Sequence, residues 1–264
     1  MPAFVMHATT SPEPLDPELL LTAYRAGIFP MADSRDDPEV FWVEPRLRAI
    51  LPLDGLRLSR SLQRTMRRER FTVTCNAAFD EVIDACAEEA EDRSETWISG
   101  RIAASYRLLH HLGDAHSIEC WEDDGAGGRR LAGGLYGVGF DRAFCGESMF
   151  TRSSDASKVA LVWLVAALRR AGVMLLDCQF MTLHLASLGA VEIDRAGYLE
   201  LLRQAQAGPA GGVVLGGDAG GGGAAEGAGR GLPAGFAALL AAAADAGLAS
   251  SPGKFIAQSL THTS

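Results

Sequence analysis

Residues 145–190 read CGESMFTRSSDASKVALVWLVAALRRAGVMLLDCQFMTLHLASLGA. The pattern is a strand, a long apolar helix (156–171), a second strand and a short helix from about Thr182 that Gly189 closes. Within LLDCQF the alternation of a strand sends Asp177 and Gln179 to one face and Cys178 to the other. A carboxylate and an amide on an apolar strand must be hydrogen-bonded or must serve a ligand, because leaving them unpaired costs several kcal/mol. Glu147, in the preceding strand, is a third polar residue in an apolar run. The segment is therefore either a site or an unusually polar core.

Outward from this segment, HSIECW, GGLYGVGF and AFCGESMF are three strands in close succession after Gly113. Antiparallel strands followed by helix, strand, helix and a last strand–helix pair (VEIDRAGYLELL) give an α+β class. Before Gly113 the sequence predicts helices at 17–26 (capped by Asp16), 79–89 and 101–112, with short strands at FWVEP, RAILPL and FTVTCN. Gly27 ends the first helix, and IFPMAD leads into a loop. The expected organisation is a loose leader (1–16), a small N-terminal α/β lobe (17–112), a second lobe (113–206) and a flexible extension (207–264). The extension is rich in glycine and alanine from Ala207 to about Gly231. It is expected to be mobile, including a helix at 232–248 and the tail GKFIAQSLTHTS.

With 264 residues and 48% apolar content the chain can bury a full core. No apolar run is long enough to cross a bilayer, and no basic-then-apolar leader is visible, so a cytoplasmic protein with no membrane association is expected. Five scattered cysteines without CxxC or Cys/His spacing argue against zinc and against a disulfide framework. The net charge of −9 excludes a generally nucleic-acid-coated protein. One basic island stands out: RLSRSLQRTMRRER (57–70) carries six arginines. If Ser59 or Ser61 opens a helix there, Arg60, Arg64, Arg67 and Arg68 share one face. That stripe is either a solvated helix face or a phosphate-binding surface.

Taken together, LLLTAYRAGIFPM, FWVEPR, LSRSLQR, TWI, SYRLLHHLGDAHSIECW, GGLYGV, FCGESMF, ASKVAL, LLDCQ and HLASLGA, in this order, resemble the bacterial leucyl/phenylalanyl-tRNA–protein transferases. The resemblance spans about residues 17 to 203. It implies transfer of leucine, phenylalanine or methionine from aminoacyl-tRNA to proteins beginning with arginine or lysine, which marks those proteins for degradation. It also implies an acetyltransferase-like second lobe, with aminoacyl-tRNA in place of acyl-coenzyme A. The stretch TRSSDASK after AFCGESMF has no glycine, so it does not suit coenzyme A, and no GxxxxGK[ST] loop is present. No cofactor or metal is implied, and a monomer is the default.

By resemblance, Asp177 and Gln179 are the catalytic pair, with Asp177 either a general base or an orienting group. Glu147 would bind the acceptor's basic side chain or its α-ammonium. Phe144, Met149, Phe150 and Leu176 are candidates for the aminoacyl pocket, and Trp42 and Trp97 for the adenosine. Val43 stands where the family often has a second aromatic residue, and Thr182 where some members have asparagine. Arg60, Arg64, Arg67 and Arg68 would meet tRNA phosphates, while His184 packs at a helix start. Competing readings are a tRNA-dependent transferase with a non-protein acceptor, a non-catalytic tRNA- or peptide-binding module, and an ordinary acetyltransferase.

Overall fold

The computed structural model of the protein describes residues 13–88, 96–207 and 231–261. Helix α1 (Pro17–Arg25) starts at Asp16, whose side chain accepts the Glu18 N–H at 2.9 Å. Strands β1 (Phe29–Met31) and β2 (Phe41–Val43) form a separate antiparallel ribbon. Within IFPM, Phe29–Met31 is a strand, because FWV supplies the partner that its backbone needs, and a loop follows it. Next come β3 (Leu47–Ile50), α2 (Arg60–Arg67), β4 (Thr72–Cys75), α3 (Phe79–Ala87) and α4 (Gly100–Leu112). Ser59 caps α2, Ser99 caps α4, and Gly113 ends α4 in the left-handed conformation.

The second half contributes β5 (Ala115–Asp123), β6 (Arg129–Phe140), β7 (Ala143–Thr151), α5 (Ala156–Arg170), β8 (Leu175–Gln179) and α6 (Leu183–Ser187). It closes with β9 (Val191–Asp194), α7 (Arg195–Gln206), α8 (Leu232–Asp245) and α9 (Pro252–Thr261). Seven strands form one sheet in the order β4-β5-β6-β7-β8-β3-β9. All neighbours are antiparallel except β7 and β8, which the long helix α5 connects in parallel. The result is a mixed α+β fold. Strands β3 and β4 precede residue 113 and are nonetheless members of this sheet, so the sheet does not break at that position.

Helices cover both faces. Tyr24, Ile83, Ile102, Tyr106 and Tyr198, from α1, α3, α4 and α7, build one core; Met66, Leu164, Leu239 and Ile256, from α2, α5, α8 and α9, build the other. Helix α5 is apolar around its whole circumference, and twelve of its fifteen residues are buried. Such a helix needs a partner on its outer side as well as the sheet on its inner one.

That requirement overturns the expectation of a mobile tail. Helix α8 lies on α5, with Phe236 5.4 Å from Trp163 between ring centroids, and Ile256 and Ala257 of α9 are fully buried. Glu69, just past α2, accepts the Lys254 N–H at 3.0 Å at the start of α9. The leader up to residue 12, the acidic loop 89–95, the glycine-rich stretch 208–230 and the end of LTHTS lie outside the described residues.

Candidate active site

The parallel pairing of β7 with β8 stops at Cys145–Asp177, although β7 runs on to Thr151. Two residues later β7 carries an extra residue: Tyr136 of β6 opposes Ser148 while Gly137 opposes Gly146, leaving Glu147 as a β-bulge. At the end of β8, Gln179 adopts φ +61, a left-handed backbone that is unusual for a residue other than glycine. The two strands therefore part, and a cavity of about 820 Å³ opens between them.

Its walls come from both cores. Leu135, Met149, Leu161, Leu164, Leu176 and Leu185 are apolar contributors, with Trp97, Tyr136 and Phe150 as aromatic ones. Glu147 and Gln179 are polar groups on the same wall, and Glu88 and Arg152 also line it, ion-paired at 2.8 Å.

Glu147 is only 7% exposed and sits inside a shell of donors. Tyr24 donates to Oε1 at 2.7 Å, and Tyr106 and the Gln179 amide donate to Oε2 at 2.9 and 3.0 Å. The two phenol oxygens are 2.6 Å apart. Burial pushes the Glu147 carboxyl up to about 7, helped by the Asp177 charge and opposed by its three donors. Burial, and then the charge of Glu147, push both phenols well above the ordinary tyrosine range.

Asp177 is 0% exposed and has no surface on the cavity. Arg48 of β3, 1% exposed, meets it with Nε at 2.9 Å from Oδ1 and an Nη at 2.6 Å from Oδ2. Tyr198 of α7 donates to Oδ2 at 2.9 Å, and the Gln179 backbone N–H donates to Oδ1 at 2.8 Å. The guanidinium is flanked by the rings of Phe29 and Tyr198, at 4.6 and 4.5 Å from their centroids. Every side of this pair is occupied by protein. The bond from the Gln179 N–H holds that residue in its left-handed turn, so Asp177 reaches the cavity through Gln179.

The structure thus brings Glu147, Gln179, Trp97, Met149, Phe150 and Leu176 together around one cavity. Phe144 is 1% exposed in the core, where its ring lies against the backbone of Gly137, and does not line it. Trp42, on the β1–β2 ribbon, is 39% exposed and does not line it either. His184 lines the cavity at the start of α6. Arg60, Arg64, Arg67 and Arg68 are exposed along one side of α2, opposite the buried Leu62 and Met66. That helix packs on α5 and is tied to its start by Thr65 and Asp155 at 3.2 Å.

Sequence reading missed Arg48, Tyr24, Tyr106 and Tyr198. A signal existed for the first: an arginine within the apolar run RAIL needs a buried carboxylate, and LLDCQ offers one. Among the described residues no group of three or more His, Cys, Asp or Glu could hold a metal ion.

Two family models match the chain. One described as leucyl/phenylalanyl-tRNA protein transferase covers residues 50–203, and the N-terminal domain of the same family covers residues 13–46. A leucyl/phenylalanyl-tRNA–protein transferase of Novosphingobium aromaticivorans is 62% identical, over 96% of this chain and 98% of its own. Like-named proteins of Rhizorhabdus wittichii and Zymomonas mobilis are 56% and 58% identical, over 79% and 72% of this chain and 80% and 69% of theirs. A cavity with Glu147 and Gln179 on its wall, the match of two models over nearly all of residues 13–203 and these identities agree: the chain belongs to the leucyl/phenylalanyl-tRNA–protein transferase family.

Proposed function

We propose that the protein is an aminoacyltransferase that moves leucine, phenylalanine or methionine from aminoacyl-tRNA to the N-terminal arginine or lysine of acceptor proteins, marking them for degradation. The observation that carries the reading is the cavity between β7 and β8, lined mainly by apolar side chains and polar where Glu147 and Gln179 meet it. Leu135, Met149, Leu161, Leu164, Leu176 and Leu185 suit an apolar side chain. A wall that contains methionine and several leucines separates shapes by only a few methylenes, which fits tolerance for three amino acids. Trp97 offers an aromatic face for the terminal adenosine, and α2 offers its arginines to the phosphates behind it.

The bond that breaks is the ester between the aminoacyl carbonyl and the ribose oxygen of the tRNA. The bond that forms joins that carbonyl to the acceptor's α-nitrogen. The amine loses one proton and the leaving ribose oxygen gains one, so no energy donor is needed. Gln179, fixed in its turn by Asp177, presents an amide N–H to the carbonyl oxygen as negative charge develops there. Glu147 binds the acceptor's cationic end beside it. Asp177 is a positioning residue in this scheme, with no contact to substrate. The parting of a parallel strand pair around an acyl group is also what an acetyltransferase-like lobe would provide, here with no coenzyme A. A cytoplasmic monomer completes the reading.

The test is a transfer assay with radiolabelled leucyl-tRNA and peptides beginning with Arg, Lys or Ala. Label is expected on the Arg and Lys peptides and should fall at least about 100-fold with Gln179→Ala, the scale of losing one transition-state donor. Label on none of the peptides, with tRNA still bound, would leave a binding module or a different acceptor.

A further inference from the structure

Two phenol oxygens and one carboxyl group make a closed triangle beside the cavity. Tyr24 Oη lies 2.7 Å from Glu147 Oε1, Tyr106 Oη lies 2.9 Å from Glu147 Oε2, and the two phenol oxygens are 2.6 Å apart. Each of these separations is a hydrogen-bond distance, and two oxygens stay that close only with a proton between them. Each phenol owns one proton, and an ionised carboxylate owns none. With Glu147 ionised, two protons must serve three contacts, and one pair of oxygens faces lone pair to lone pair in a buried site. With Glu147 protonated, one phenol accepts from the carboxyl instead of donating to it and gives its own proton to the other phenol, so three protons serve three contacts and the ring closes. The Gln179 amide also donates to Oε2, but it brings no proton to the phenol–phenol contact.

We propose that Tyr24 and Tyr106 keep Glu147 as the neutral acid in the resting enzyme, and that binding of the acceptor's cation expels this proton to solvent. In the bound state the carboxylate pairs with the ammonium or guanidinium, and the positive charge that arrives replaces the positive charge that leaves. Tyr24 and Tyr106 are then positioning residues that set the charge of the acceptor site. The ring itself rests on geometry; its coupling to the acceptor rests on the function proposed above.

The surroundings agree. Titratable and charged groups facing Glu147 and its phenols are Tyr136 on β6, Cys145 on its own strand, Asp177 on β8 and, beyond Cys145, Arg48 on β3. Asp177 and Arg48 neutralise each other at 2.6 Å, so no net cation remains beside Glu147 to favour its ionised form. Burial acts in the same direction.

The test separates this from the simpler reading in which the phenols are ordinary donors to a carboxylate. If they are, removing one hydroxyl raises the Glu147 pKa. If the ring holds the third proton, removing one hydroxyl abolishes the protonless contact, and the pKa falls. Protein labelled with carbon-13 at the glutamate carboxyl is titrated by NMR, with the Glu147 signal assigned by its loss in Glu147→Gln. The wild-type midpoint is expected near neutrality, and Tyr24→Phe and Tyr106→Phe are each expected to lower it by about one pH unit, the scale of one hydrogen bond to a carboxyl. A wild-type midpoint in the ordinary carboxylate range, or a rise or no change in a folded variant, would overturn the proposal.

No tRNA or acceptor enters that titration, so its failure is distinct from failure of the transferase reading. The coupling is tested by adding an Arg-leading peptide to the same protein near pH 6. The carboxyl signal is expected to move to its ionised position, and an unmoved signal with peptide bound would overturn the coupling alone.

Discussion

Asp177 has the environment of a structural ion pair and also holds Gln179 at the cavity wall, and the two roles can be separated by substitution. Its carboxylate accepts from Arg48, Tyr198 and the Gln179 backbone, all within a region closed to solvent. Taking two charges out of water is costly, and their attraction repays that only while both are present. Asp177→Ala leaves the Arg48 guanidinium buried without its partner and is expected to cost about 3–5 kcal/mol in urea denaturation. Pairing Arg48→Met with Asp177→Leu removes both charges and should recover much of that loss. Transfer activity should stay low in the double variant, because the Gln179 N–H no longer has an acceptor to hold its turn. Full recovery of activity along with stability would mean that Asp177 only balances Arg48.

At the scale of elements, α5 sets what the rest of the chain must do. One side packs on the sheet and lines the cavity through Leu161 and Leu164; the other is covered by α8. The two helices approach so closely at Gly235 that an added Cβ would overlap the Ala167 carbonyl oxygen. Alanine is better than glycine inside a free helix by about 1 kcal/mol. Here the close approach reverses the sign: Gly235→Ala should destabilise by about 1–3 kcal/mol, the usual cost of overpacking, seen as a lower Tm. A raised Tm would show that α8 can slide on α5 and that the helices fit loosely. Gly235 thus belongs to packing, although it lies in a helix, 232–248, that the sequence alone predicts to be mobile.

At the scale of the whole molecule, charge is segregated. The chain carries −9 overall, yet Arg60, Arg64, Arg67 and Arg68 share the exposed side of α2, with no ion pair to an acidic side chain among the described residues. This side of the sheet is also the one from which Leu161, Leu164 and Leu176 line the cavity. An anion held along α2 would therefore lie on the side of the sheet that supplies Leu161, Leu164 and Leu176 to the cavity. For tRNA bound by these four residues, replacing all four with alanine should flatten the plot of log affinity against log salt by about 3, at roughly 0.7–0.9 for each phosphate no longer neutralised. Fluorescence titration of labelled tRNA across a salt series measures it. An unchanged slope would assign the stripe to solvation.

What the sequence determined by itself was local: the strand–helix–strand of residues 145–180, the capping of α1 by Asp16, a helix at α2 opened by Ser59 or Ser61, of which the structure uses Ser59, and the family motifs that single out Glu147, Asp177 and Gln179. These follow from spacing between near neighbours, which periodicity and caps report directly. Tertiary structure alone decided that Arg48, 129 residues from Asp177, closes its carboxylate off from the cavity. It likewise decided that Tyr24 and Tyr106, on helices far apart in the chain, share the Glu147 carboxyl, and that Phe144 is core while Trp42 lies outside the cavity. The packed tail belongs to the same group, since α5 can be apolar all round only because α8 and α9 cover its outer side. Such arrangements depend on sheet order and on the bulge at Glu147, and neither leaves a period in the sequence.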